Sequence, residues 1–129
     1  MELRELFDLH EKLESRINAY WNFWSVVVLA MAGWLLVKQP EWGMGRCIAL
    51  ALAAAAFFAA NLGVIWHATR LASAVRDEMR LAAADTALRS PLLRTELADG
   101  GIRFRLASTL VLHGVVDLAV LAVIFFYAC

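Results

Sequence analysis

The stretch from Cys47 to Trp66, CIALALAAAAFFAANLGVIW, constrains the fold more than any other part of the sequence. Its only strongly polar side chain is Asn61. At a rise of about 1.5 Å per residue, a helix of this length matches the roughly 30 Å hydrocarbon core of a lipid bilayer. The sequence therefore predicts a membrane-spanning helix over residues 47–67.

Small side chains recur at every fourth position of this helix and therefore share one face. Such a ridge lets a neighbouring helix approach closely, because no bulky side chain separates the two backbones. We expect the ridge to be a helix-packing surface. It consists of Ala51, Ala55, Ala59 and Gly63.

Composition extends this prediction to the whole chain, which at 129 residues is expected to be a single domain. Apolar residues make up 62% of it and its mean hydropathy is +0.65, whereas soluble domains are about 45–50% apolar. Two further apolar stretches, 21–37 and 105–129, flank the central one. The sequence thus predicts an all-α integral membrane protein with three transmembrane helices.

Helical patterning continues beyond the first two predicted spans. Residues 1–20 form an amphipathic helix with no breaker before the first span. The segment 38–46 contains Pro and Gly residues typical of a turn and is predicted to be an outer loop. After the second span the pattern continues over 68–89 until Ser90-Pro91, and 90–104 is a connector. We therefore expect a long helical hairpin that extends out of the bilayer.

The basic residues predict an orientation. They precede the first span and concentrate between the second and third, and none follows the third. The positive-inside rule then places the N-terminus and the hairpin in the cytoplasm and the C-terminus outside, in what is expected to be a bacterial inner membrane. The formal net charge is zero, so the lipid bilayer and not nucleic acid is the expected partner.

The third span contains an unusual polar stripe. Thr109, His113 and Asp117 are spaced by four and share one helix face. An aspartate near the middle of a bilayer costs about 2.5–3.5 kcal/mol on insertion scales, so Asp117 should face other helices or water. The stripe is a candidate proton or ion relay or gate. The alternative is a buried hydrogen bond that fixes the helix register.

Depth relates this stripe to the other spans. Asn61 and His113 both lie about 10–12 Å from the cytoplasmic edge, and Asn61 faces away from the small-residue ridge, so the two are candidates for a contact. On the first span, Asn22 and Ser25 form a shallower polar stripe. Together these residues predict a polar seam that rises to Asp117. The alternative is a set of separate interhelical hydrogen bonds.

The two cysteines are both predicted to lie at the outer ends of their spans. Cys47 begins the second span and Cys129 ends the third. In an oxidising compartment they could form a disulfide, provided that their Cα atoms come within about 7 Å. The alternative is two free, apolar thiols.

Cofactor and catalytic signals are weak. His67 and His113 lie on two spans, as bis-histidine haem ligation requires, but they differ by about 12 Å in depth. Only a haem shared between subunits stays open. The sequence has no Cys-x-x-Cys, no His-Glu-x-x-His and no phosphate-binding loop. We expect no metal, no cofactor and no enzymatic activity.

Two functions are compatible with these features. The first is a small homo-oligomeric channel or transport protein, whose route is lined or gated by the stripe of Thr109, His113 and Asp117. The second is a non-catalytic subunit or scaffold of a larger membrane complex, which docks a membrane-protein partner through its cytoplasmic helical arm.

Overall fold

The computed structural model describes residues 1–37, 43–85, 89–98 and 102–129, with the backbone alone at positions 98, 102, 103 and 128. Four α-helices follow one another, and the last continues into a π-helical turn. They are α1 (Leu3–Val37), α2 (Met44–Asp85), α3 (Pro91–Ala98), α4 (Ile102–Val123) and the turn Ile124–Ala128.

Three of these helices, α1, α2 and α4, are long and apolar enough to cross a membrane. The first two pack against each other along their length and form one long antiparallel hairpin. The described residues contain no strand. The predicted fold class, all-α with three candidate spans and an extended hairpin, is confirmed. We call residues 3–20 with 68–85 the arm, and the opposite end of the hairpin the loop end.

Two helices begin earlier than the sequence suggested. Residues 44–46, assigned to the outer loop, already belong to α2, because the Gly43 carbonyl accepts the first hydrogen bonds from the amides of Arg46 and Cys47 at 2.9 and 3.4 Å. Similarly, α4 begins at Ile102 and not at 105. The turn-forming Pro40 and the glycines at 100 and 101 lie outside the described residues.

The arm section of α2 ends earlier than expected. The predicted helix ran to residue 89, whereas α2 ends at Asp85 and Arg89 is not helical. The Ser90 hydroxyl accepts a hydrogen bond from the Leu93 amide at 3.3 Å and Pro91 occupies the first helical position, so this segment starts α3. Residues 86–88 lie outside the description.

From Cys47 to Met79 the buried positions of α2 follow one seam with alternating steps of four and three, a further step of four reaches Ala83, and Thr69 is buried beside the seam. An average repeat of about 3.5 residues is the pattern of a coiled coil, in which one face stays against its partner over many turns. The seam is Cys47, Ala51, Ala54, Phe58, Asn61, Ile65, Ala68, Ala72, Val75, Met79 and Ala83.

The seam divides into two cores. In the arm, Leu6, Leu13 and Ile17 of α1 pack against the end of the seam from Ala68 onwards, and Leu97 of α3 closes this cluster. Towards the loop end, Trp24 and Leu35 of α1 pack with Cys47 to Phe58 and with Val120 and Ile124. A buried polar layer lies between these two apolar cores.

An ion pair joins the arm to the start of α4. The Arg105 guanidinium donates to both Glu14 carboxylate oxygens, at 2.6 and 2.7 Å. This hydrogen bonding holds the pKa of Glu14 below its usual value, although partial burial opposes it. The nearby positive charges of His10 and Arg76 also lower the pKa of Glu14. A bidentate ion pair therefore holds the start of α4 against α1.

This pair makes stability depend on pH. Because the pKa of Glu14 is lowered by folding, its contribution is fully present above the unfolded value of about 4.3 and is lost as pH falls through the folded value. We expect the difference in unfolding free energy between wild type and Glu14→Gln to be constant near pH 7 and to shrink below about pH 4. Detergent-solubilised protein unfolded at several pH values would measure this.

Glu11→Gln is the matched control, because Glu11 is an exposed carboxylate on the same helix. A difference between Glu14→Gln and wild type that stays unchanged down to pH 3 would contradict the assignment.

Candidate functional site

The polar layer consists of side chains from all three long helices, enclosed between the two apolar cores. His113 of α4 is completely buried, and Asp117 and Asn61 are each 8% exposed. The α-helical spacing of four brings His113 and Asp117 to the same face of α4. That face points towards the interior of the three-helix bundle.

A continuous series of hydrogen bonds links the three helices. The Trp24 indole nitrogen of α1 donates to Asp117 Oδ1 at 2.9 Å. Asp117 Oδ2 hydrogen-bonds His113 Nδ1. At the other side of the imidazole ring, Nε2 lies 3.2 Å from the Asn61 amide nitrogen of α2. We call Trp24, Asp117, His113 and Asn61 the polar network.

Donor and acceptor roles follow from this geometry. Because the Asn61 amide nitrogen can only donate, Nε2 accepts, and the proton of a neutral imidazole then lies on Nδ1. That proton is donated to Asp117, whose carboxylate also accepts from Trp24. Each of the four side chains thus has a hydrogen-bond partner within the network.

Two indole rings surround the imidazole. The ring centroid of Trp24 lies 4.6 Å from that of His113, with 31° between the planes, and Trp21 lies 5.7 Å away. An aromatic face within about 6 Å of a cation attracts it electrostatically. The two indoles also help to enclose the imidazole, which is fully buried.

The network lies near the middle of the apolar section of α4. Counted along α4, Asp117 is about 18 Å from Arg105 and about 18 Å from Cys129 at helical rise. On the loop side, Val120 and the fully buried Ile124 pack against Cys47 and close off the network. Its polar continuation lies only towards the arm, where Thr109 is 6% exposed.

The structure brings together four of the six predicted relay residues. Thr109, His113, Asp117 and Asn61 are buried on inward faces, and the proposed contact of Asn61 with His113 is present. Asn22 and Ser25 do not join them: Asn22 is exposed on α1 and Ser25 is half-buried. Neither has a hydrogen bond to the network.

Trp24 is the member of the polar network that the sequence did not single out, because an aromatic residue near the end of a predicted span is equally typical of a membrane interface. The spacing of apolar residues on α1 does point to Trp24. The apolar stripe of the arm helix reaches Leu6, Leu13 and Ile17, and another heptad step from Ile17 gives Trp24.

The remaining predicted site residues are dispersed. In the small-residue ridge, Ala51 is buried and Ala55 half-buried, whereas Ala59 and Gly63 are exposed, so the three helices of one chain cover only part of it. The principal packing surface of α2 is the seam.

Cys47 is buried and Cys129 exposed. Their side chains interact with each other, and both are reduced thiols in the structure. The disulfide stays a prediction.

The histidines do not converge on a common centre. His67 is exposed while His113 is enclosed. Among the residues that the structure describes, no group of three His, Cys, Asp or Glu side chains has the arrangement of a metal site.

No protein-family model, curated protein or solved structure matches the chain. Its class therefore rests on its own fold and site. Three apolar helices of spanning length are those of an integral membrane protein of the α-helical class, here with a buried histidine–aspartate pair.

The hydrogen bond between Trp24 and Asp117 can be measured by a double-mutant cycle. Trp24→Phe removes the N–H donor and keeps an aromatic ring, and Asp117→Leu removes the acceptor. Interhelical hydrogen bonds in membranes contribute about 0.6–1.7 kcal/mol, so we expect a coupling energy in that range. Unfolding by sodium dodecyl sulfate titration, followed by circular dichroism, would give the four stabilities.

Ser25→Ala serves as the control, since Ser25 lies outside the network, and we expect a change within about 0.5 kcal/mol. Effects of Trp24→Phe and Asp117→Leu that add within about 0.3 kcal/mol would show that the bond contributes nothing.

Proposed function

We propose that the chain is a non-catalytic scaffold subunit of a larger membrane complex, which docks through its arm. The observation that carries this proposal is large apolar side chains exposed on the arm. Leu81 of α2 is 59% exposed and Leu92 of α3 is 73% exposed. Leu81 lies about 35 Å along α2 from Phe58, which is beyond the reach of lipid hydrocarbon if Phe58 is near mid-bilayer.

The chemistry of this surface favours a protein occupant. Large exposed apolar patches mark interaction sites in water, and an amphipathic helix is one common ligand of an apolar helical surface. The partner we propose is therefore a protein that presents an amphipathic helix to the arm.

The polar network supports the same function. Its hydrogen bonds connect α1, α2 and α4, and the apolar core around Ile124 closes it towards the loop end. A network of this kind fixes the register of three helices and so gives the arm a rigid base. This structural role of the polar network requires no substrate.

The orientation belongs to this proposal. Five of the ten arginines lie in the arm and four more lie between residues 89 and 105, and we place the arm in the cytoplasm of a bacterial inner-membrane protein, with the C-terminus outside. Asn22 further supports assembly within the membrane. It is exposed beside Phe23 and Val26 on the outer face of α1, without a hydrogen bond to any described residue. A polar side chain facing lipid is stabilised when another helix covers it, such as one from a second copy.

Docking can be tested by purification in a mild detergent. We expect tagged wild-type chain to co-purify with a partner in a fixed ratio, and Leu81→Glu and Leu92→Glu to lose that partner, because a buried carboxylate opposes apolar contact. Arg80→Glu is the control, since residue 80 points about 100° away from Leu81 on α2. A chain that yields only self-oligomers, unchanged by either leucine variant, would rule out this function.

Transport is the second candidate, and one observation favours it. The Thr69 hydroxyl oxygen is buried without a hydrogen-bond partner. It adjoins a cavity of about 10 Å³ lined also by Glu14 and Arg105, close to the smallest volume that holds one water molecule. A water there would extend polar contacts from the arm towards the network, about 12 Å from Asn61 along α2. The route would lie inside the chain, where Thr109, His113 and Asp117 face.

Flux separates the two functions. In liposomes with an internal pH-sensitive dye, transport predicts proton flux above that of protein-free vesicles for wild type, and its loss in Asp117→Asn, which cannot carry the charge. Ser25→Ala should retain the wild-type rate. The scaffold function predicts background flux in all three proteins.

A further inference from the structure

A second site lies on the hairpin, away from the polar network. A groove of about 500 Å³ runs between α1 and α2, and no residue of α4 lines it. Its floor is formed by the small residues Ala59, Ala60 and Gly63. A Cβ atom added at Gly63 would meet no atom within 4 Å. Ligand sites typically have volumes of about 300–1,000 Å³, so the groove is large enough to hold a ligand.

The arm end of the groove is cationic and polar. Arg16, Tyr20 and His67 line it there. The guanidinium of Arg16 forms no ion pair with any described carboxylate. Arg16 lies about 12 Å from the level of Trp24, and His67 about 13 Å from that of Phe58, towards the arm. With the polar network near mid-bilayer, both residues reach the edge of a 30 Å hydrocarbon core, where lipid phosphates begin.

We propose that this groove binds one anionic phospholipid of the leaflet on the arm side. An acyl chain lies over Ala59, Ala60 and Gly63, and the phosphate is bound by Arg16, with the Tyr20 hydroxyl and the His67 ring as further donors. Guanidinium groups bind phosphate in bidentate geometry, and basic side chains at a membrane surface favour anionic lipids.

Charge distinguishes this occupant from a second copy of the chain. Two copies packed groove to groove about a two-fold axis normal to the membrane would bring their Arg16 side chains to the same depth beside each other. Like charges in a partly desolvated interface repel, whereas an anionic headgroup neutralises the same arginine. The groove therefore suits a lipid better than a symmetric partner.

Native mass spectrometry can measure the binding. The probes are phosphatidylglycerol and phosphatidylcholine with identical acyl chains, each titrated into the detergent-solubilised full chain. We expect wild type to bind phosphatidylglycerol about five-fold more tightly, the effect of one basic residue at the surface. Arg16→Gln should remove that preference and keep residual binding. Gly63→Leu should weaken the binding of both lipids, because its side chain fills the groove.

Two control variants match these changes. Gly33→Leu adds the same side chain to α1 at another open position, since a Cβ at Gly33 also meets no atom within 4 Å. Arg80→Gln removes an exposed arginine outside the groove. Both should bind like wild type, and circular dichroism would verify that all variants fold.

Several results would overturn the proposal. The first is equal binding of the two lipids by wild type, and the second is binding that Gly63→Leu leaves unchanged. Displacement of phosphatidylglycerol by equimolar glycerol 3-phosphate would show that the site recognises a free phosphate. A lipid-free dimer that Gly63→Leu dissociates would assign the groove to a second copy.

Discussion

The seam along α2 is the constraint on which the rest of the structure depends. Its repeat of about 3.5 residues from Cys47 to Met79 keeps one face of α2 against the other helices, through both the apolar section and the arm. The forces that hold the helices together differ between the two parts of the seam. In the arm, Leu13 and Ile17 are removed from water, so burial itself drives contact. In lipid there is no such drive, and contact depends on close packing and hydrogen bonds. The same spacing of buried residues therefore supports helix contact both in water and in lipid.

Within that seam, the polar layer is compatible with stability only because its hydrogen bonds act together. An aspartate at mid-bilayer costs about 2.5–3.5 kcal/mol, and an interhelical hydrogen bond returns about 0.6–1.7 kcal/mol. A single bond does not offset that cost. Two interhelical bonds, from Trp24 to Asp117 and between Asn61 and His113, act together with the His113–Asp117 bond within α4 and come closer to it. Removing any one member leaves at least one buried polar atom of the network without its partner.

The sequence predicted correctly the features that depend on position along a helix. Apolar length predicted the three spans, and equal depth along two helices predicted that Asn61 meets His113. The sequence did not predict which side chain faces the interior where that depends on the relative rotation of two helices. Asn22 and Trp24 are two residues apart, about 200° around α1, and only the path of α1 against α2 determines which one faces Asp117. The helix ends at Gly43 and Ser90 also depended on individual capping hydrogen bonds, which hydropathy does not detect.

The same angular argument relates the two unfilled surfaces of α1. Tyr20, on the rim of the groove, and Asn22, on the lipid-facing side, also differ by about 200°. A lipid over Gly63 and a helix over Asn22 would therefore occupy opposite sides of α1, and neither would exclude the other. Trp24 lies only about 40° from Tyr20, so the polar network is on the groove side of α1 and leaves the Asn22 side free. Lipid binding and assembly, as proposed, would thus be separable, each dependent on a different face of one helix.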